Sequence, residues 1–105
     1  MLGTDAYSRA SVGHLEALRA ALRREAPELV AVVYGIAGRK VILHVTNPSC
    51  GRIAENVSVR NATPDGDPGQ FLWSWGQPIA PVTAPDEAAR VVRRVLALHD
   101  PGTSR

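Results

Sequence analysis

Four polar side chains in three predicted strands have the chemical types that an anion site requires. His44, Ser58, Arg60 and Ser74 stand at alternate strand positions, and alternate positions project from one face of a sheet. A guanidinium holds a carboxylate through two hydrogen bonds, and an imidazole relays protons near neutral pH. These residues predict a carboxylate or anion site with His44 and Arg60 as its candidate catalytic pair. The alternative is that the four side chains are simply solvated.

The single cysteine, Cys50, is a third candidate for catalysis. It stands in a predicted turn two residues before Arg52, and a positive neighbour stabilises a thiolate. Nucleophilic chemistry also needs a base, and only His14, His44 and His99 could serve. The three histidines lack metal-site spacing, and no glycine-rich phosphate loop follows a strand. We therefore expect an ordinary turn cysteine, no metal and no cofactor.

Three of the five aromatic residues stand close together in one predicted strand. Phe71, Trp73 and Trp75 alternate with Leu72 and Ser74, which places the three rings on one face. Tryptophan is frequent both in cores and at interaction hot spots. We predict that Trp73 lies in the core and that Trp75, nearer the strand end, is exposed and contacts a partner. The alternative places both on a recognition surface.

The elements that position these residues follow from hydrophobic periodicity. Leu15, Leu18 and Leu22 recur at helical spacing, whereas the middle of the chain alternates as strands do. We predict an α+β domain of order α-β-β-β-β-α, a four-stranded antiparallel meander with both helices packed on one face. The chain is one domain, 1–105, with an ordered core at 8–99. The predicted helices span 11–25 and 86–99, and the predicted strands span 29–36, 40–46, 53–61 and 70–75.

The sheet face away from the helices combines apolar and polar side chains. If the valine-rich face is the core, Ile42, His44 and Leu72 lie on the other face. The first strand adds either its even-numbered residues, Val30, Val32 and Tyr34, or its odd-numbered residues, Ala31 and Val33; its pattern leaves both open. An exposed apolar patch of this kind marks an association surface, and a two-fold dimer is the commonest way to cover it.

The positive charge is almost all arginine, with eleven Arg, one Lys and a net charge of +2. Six arginines on the outer faces of the two helices could converge and contact DNA: Arg19, Arg23, Arg24, Arg90, Arg93 and Arg94. Acidic residues accompany them in both helices, so we do not expect nucleic-acid binding. The N-terminus lacks signal-peptide features, and the longest apolar run is too short to span a membrane. We expect a cytoplasmic protein without a membrane partner.

A resemblance involves the segment FLWSWGQPI at 71–79 and the arginine-rich helix that follows it. This Trp-x-Trp-Gly-x-Pro-Ile element and helix resemble the C-terminal half of small hypothetical proteins of actinobacteria. The likeness is confined to residues 71–99. It implies an actinobacterial source and carries no catalytic residue over to this chain.

These observations favour a small non-enzymatic accessory or regulatory protein. We expect it to homodimerise and to bind a protein or peptide partner, with candidate binding residues Trp75, Trp73, His44, Arg60 and Ser74. One alternative is a small tailoring or isomerising enzyme whose site, on the sheet face or in a dimer cleft, surrounds His44 and Arg60. A further alternative is a DNA-binding accessory protein.

Overall fold

A computed structural model describes residues 2–36, 40–50 and 54–97. The strands form one sheet of order β1-β2-β3-β4-β5, in which every neighbouring pair is antiparallel. The α+β class and the antiparallel meander are confirmed, whereas the predicted number of strands is wrong. In chain order the elements are α1 (Leu2–Glu25), β1 (Val30–Ile36), β2 (Lys40–Thr46), a 3₁₀ turn (Pro48–Cys50), β3 (Ala54–Arg60), β4 (Gln70–Trp73), β5 (Pro78–Pro81) and α2 (Pro85–Ala97).

The fifth strand, β5, lies in the segment predicted to terminate the fourth strand. The fourth strand ends at Trp73, before its predicted end at residue 75. Gly76, with a φ of 91°, completes the tight turn that follows. The N–H of Gly76 donates to the Trp73 carbonyl, and the N–H of Trp73 donates to the Gln77 carbonyl, both at 2.9 Å. Pro78 and Pro81 fit in β5 because it is an edge strand, where a missing N–H need not break a ladder.

The helix boundaries follow the prediction at the C-terminus of α1 and differ at its start. α1 begins at Leu2, well before the predicted start at residue 11. It ends at Glu25 as predicted: the N–H of Ala26 donates to the Leu22 carbonyl at 2.7 Å, and Pro27 cannot continue the ladder. α2 begins at Pro85, and its predicted end at residue 99 lies outside the described residues.

One face of the sheet shares a single core with both helices. The strand register aligns Val33, Leu43, Val57 and Trp73 in a row across β1 to β4. The last three of these are buried together with the predicted leucines of α1 and with four residues of α2. The burial predicted for Trp73 is therefore confirmed. The row also shows that the odd-numbered residues of β1 belong to the core face, so its even-numbered residues lie on the opposite face.

A buried amide joins the end of β2 to α2. Asn47 is 4% exposed, and its Nδ2 donates to the Leu96 carbonyl at 3.4 Å. Its Oδ1 accepts a hydrogen bond from the Ser49 backbone N–H at 3.1 Å. The side chain thus satisfies a carbonyl in the last turn of α2, which has no partner within its own helix.

Candidate functional site

The sheet face away from the core exposes large apolar side chains. Val30 is 49% exposed, Val32 39% and Tyr34 49%. The register places Val32 beside His44, and Tyr34 beside Ile42. We call this surface the open face; it comprises Val30, Val32, Tyr34, Ile42, His44, Asn56, Ser58 and Leu72. It realises one of the two alternatives for the first strand, and it holds three of the four exposed large hydrophobic side chains among the described residues.

His44 is held in place on the open face by two neighbours. Its Nδ1 lies 2.7 Å from Asn56 Oδ1, and its ring meets the Tyr34 ring edge-on with centroids 6.0 Å apart. An amide oxygen only accepts hydrogen bonds, so Nδ1–H is the donor and, in the neutral ring, Nε2 is the remaining acceptor. His44 can therefore accept one hydrogen bond from a bound molecule while its ring orientation stays fixed.

Arg60, the predicted partner of His44, is engaged elsewhere. Its guanidinium donates to Asp67 Oδ2 at 2.9 Å, in the loop between β3 and β4. The residue lies four positions along β3 from Asn56, a distance of about 13 Å in a strand. The structure thus does not bring His44 and Arg60 together, and Arg60 anchors a loop.

Asp67 organises that loop through both carboxylate oxygens. Its Oδ1 accepts the Gly69 backbone N–H at 2.8 Å, while its backbone carbonyl accepts the Thr63 N–H at 2.9 Å. The hydrogen bond from Gly69, followed by that from Arg60, holds the pKa of the Asp67 carboxyl below its usual value of 3.8. Gly69 has a φ of 102°, and a Cβ there would lie 2.6 Å from the Arg60 carbonyl oxygen. The loop conformation therefore depends on glycine.

Ser74 also lies apart from the predicted anion site. It stands in the turn between β4 and β5, where its hydroxyl donates to Glu55 Oε1 at 3.4 Å. Ser58 lies on the open face opposite Leu72. Strand alternation places Arg60 on the same sheet face as His44 and Ser58, but its guanidinium is paired with Asp67, so the predicted four-residue site does not form.

The two tryptophans form a stacked pair. Their ring centroids are 5.2 Å apart with an interplanar angle of 7°. Trp73 is 5% exposed and Trp75 56% exposed, so the predicted difference between them is confirmed. Trp75 Nε1–H donates to Gln77 Oε1 at 3.0 Å, which fixes the outer ring. A binding role thus stays a prediction for Trp75, whereas the Trp73 ring lies beneath it.

The remaining candidates for chemistry are Cys50, with Arg52 near it in the sequence, and the histidines His14 and His99. Cys50 ends the 3₁₀ turn, and Arg52 and His99 lie outside the described residues. His14 is half-buried on α1. In the part of the chain that the structure describes, no three His, Cys, Asp or Glu side chains are grouped as metal ligands.

The arginines predicted to converge on the helices are largely paired with carboxylates. Arg24 contacts Asp86 at 2.6 Å, Arg90 contacts Glu25 at 3.7 Å, and Arg93 contacts Glu28 at 2.9 Å. Each pair joins α2 to α1 or to the turn that follows α1. Arg19 is paired with Glu16 at 3.3 Å. The charge in this region is therefore mostly balanced, and among the described residues only Arg23 and Arg94 of the six have no carboxylate partner.

A groove between α1 and the edge strand β1 was not anticipated from the sequence. It encloses about 240 Å³, and its apolar lining comes from Leu22 and Leu29 and, on β1, from Val30, Ala31 and Val32. Arg19 and Arg23, one helical turn apart, contribute its basic lining. Arg19 Nε–H also donates to the Ala31 carbonyl at 3.1 Å. The groove depends on the packing angle between helix and sheet, for which the sequence has no local signal.

Comparisons with known proteins add no relative: no family model, no curated protein and no solved structure matches the chain. Within the described residues, no helix combines the length and apolar character needed to cross a membrane.

Proposed function

We propose that this protein is a non-enzymatic cytoplasmic accessory protein that homodimerises through the open face and binds a protein or peptide partner. The observation that carries the proposal is the exposure of Val30, Val32 and Tyr34 on a rigid sheet. A contiguous exposed apolar patch often marks a site of interaction with another protein. An actinobacterial source, suggested by the resemblance of residues 71–99, is part of the same proposal.

The open face suits a second copy of itself because its eight residues include no carboxylate or guanidinium, and the neighbouring Arg60 charge is paired with Asp67. Its polar members, His44, Asn56 and Ser58, have no formal charge when the histidine is neutral, so two copies can approach without repulsion. From strand spacing and rise, its eight residues project an area of about 250 Å² per copy. A standard interface buries about 800 Å² per partner, so we expect a weak dimer whose formation depends on concentration.

Sedimentation velocity over the micromolar range tests the dimer directly. The wild-type chain should pass from its monomer mass of 11.2 kDa toward twice that mass as concentration rises. Tyr34→Lys should keep it monomeric, because the substitution places a charge in the proposed interface. Ala17→Lys adds the same charge at an exposed position of α1 and should leave association unchanged.

A wild-type mass that stays at 11.2 kDa at every concentration would contradict the dimer. Equal weakening by Tyr34→Lys and Ala17→Lys would show that association occurs but not through the open face. Far-UV circular dichroism of both variants confirms that each is folded.

A further inference from the structure

The structure presents one sheet edge whose own residues lack the usual protective features. In the five-strand order, β1 and β5 are the two edge strands. β5 begins and ends with proline, which has no N–H to offer to another strand. β1 spans seven residues, VAVVYGI, without proline or charge. Natural sheets generally block such an edge, so an open one is a site where a further strand can pair.

The contact of Arg19 with Ala31 shows which backbone groups of β1 face outward. Because the Ala31 carbonyl accepts from a helix residue at the edge, it points away from β2. In an antiparallel strand, the N–H and C=O of one residue share a side, and the side alternates along the chain. The backbone groups of Val33 and Gly35 therefore also face outward and have no partner among the described residues.

The groove beside this edge has an electrostatic preference. Arg19 lies 3.3 Å from Glu16, which offsets part of its charge. Arg23 is exposed and has no ion-pair partner in the described residues. A strand added to β1 would direct alternate side chains toward this helix side, where the two guanidinium groups favour carboxylates.

We propose that the β1 edge binds an extended acidic peptide, which pairs with β1 as a sixth strand and places its carboxylates against Arg19 and Arg23. The inference rests on the proposed partner binding and does not require the dimer. A second copy of β1 fits less well, because VAVVYGI has no carboxylate to meet the arginines. Apolar side chains on the other face of the peptide would extend the open face.

The test uses a capped, fluorescein-labelled peptide of alternating valine and glutamate, with fluorescence anisotropy as the readout. Two matched probes accompany it: the same peptide with lysine for glutamate, and the acidic peptide with alternate backbone nitrogens methylated. The acidic peptide should bind and the lysine peptide should not. N-methylation should abolish binding, because strand pairing needs the peptide N–H groups.

Charge reversal on the protein distinguishes peptide binding at the groove from nonspecific attraction of an acidic peptide to a positively charged protein. Arg23→Glu should weaken binding of the acidic peptide by about 5-fold or more, since it replaces an attraction by a repulsion. Arg94→Glu makes the same charge change at an exposed position of α2 and should have little effect. In NMR exchange experiments, the peptide should slow hydrogen exchange at Val33 and Gly35.

Three results would overturn the inference. The first is that the N-methylated peptide binds as tightly as the unmodified acidic peptide. The second is that Arg23→Glu and Arg94→Glu weaken peptide binding equally. The third is that raising the protein concentration alone slows hydrogen exchange at Val33 and Gly35, which would identify a second copy as the occupant. Tyr34→Lys distinguishes this inference from the proposed dimer. If the Tyr34→Lys variant is monomeric and still binds the peptide, edge binding is supported. If the wild-type chain dimerises but does not bind the peptide, edge binding is refuted and the dimer proposal is unaffected.

Discussion

Replacing Trp73 by alanine tests the core assignment on which the two faces of the sheet depend. The side chain is 5% exposed and belongs to the row that includes Leu43 and Val57. A buried tryptophan removes about 200 Å² from water, which at about 25 cal/mol per Å² corresponds to about 5 kcal/mol. Measured aromatic-to-alanine costs of about 3–5 kcal/mol agree, so we expect a loss in that range. Domains are stable by only about 5–15 kcal/mol.

Urea unfolding followed by far-UV circular dichroism measures this loss. Trp75→Ala is the matched control, because it removes the exposed ring of the same stacked pair. The control should lose only about 0.5–1.5 kcal/mol, the range for an aromatic pair. If the two variants lost equal stability, or if Trp73→Ala lost less than about 1.5 kcal/mol, the burial argument would be wrong.

Three further predictions concern the connections around the sheet. Gly69→Ala should lose about 1–3 kcal/mol in urea unfolding, from a positive φ and a collision with the last carbonyl of β3; Gly66→Ala, with a φ of 104° but open space, should lose less. Because the pKa of Asp67 is lowered in the folded chain, its contribution should be complete above its unfolded pKa of 3.8 and disappear as the pH falls further. The stability difference between wild type and Asp67→Asn, measured from pH 6 downward, should accordingly be constant and then shrink below 3.8; a difference constant throughout would refute the assignment. Asn47→Ala should lose about 1–3 kcal/mol, because it leaves a carbonyl of α2 unsatisfied; an unchanged thermal midpoint would contradict this.

Local patterns in the sequence determined most of the secondary structure. The three- and four-residue spacing of Leu15, Leu18 and Leu22 predicted the buried side of α1, because helical geometry alone places these residues together. Strand alternation likewise placed Phe71 and Trp73 on one face, and both are buried. The α+β class and the order of the first four strands follow from the same short-range rules.

Tertiary structure decided the features that depend on a neighbour distant in the chain. Pro78 and Pro81 are strand residues only because β5 lies at an edge, and the parity of β1 was settled only by its pairing with β2. Arg60 is engaged by a loop carboxylate rather than by His44, since the loop returns across the end of β3. The groove beside β1 depends on how α1 packs on the sheet. Such contacts form between elements whose relative positions no local pattern encodes, because they result from the packing of the whole core.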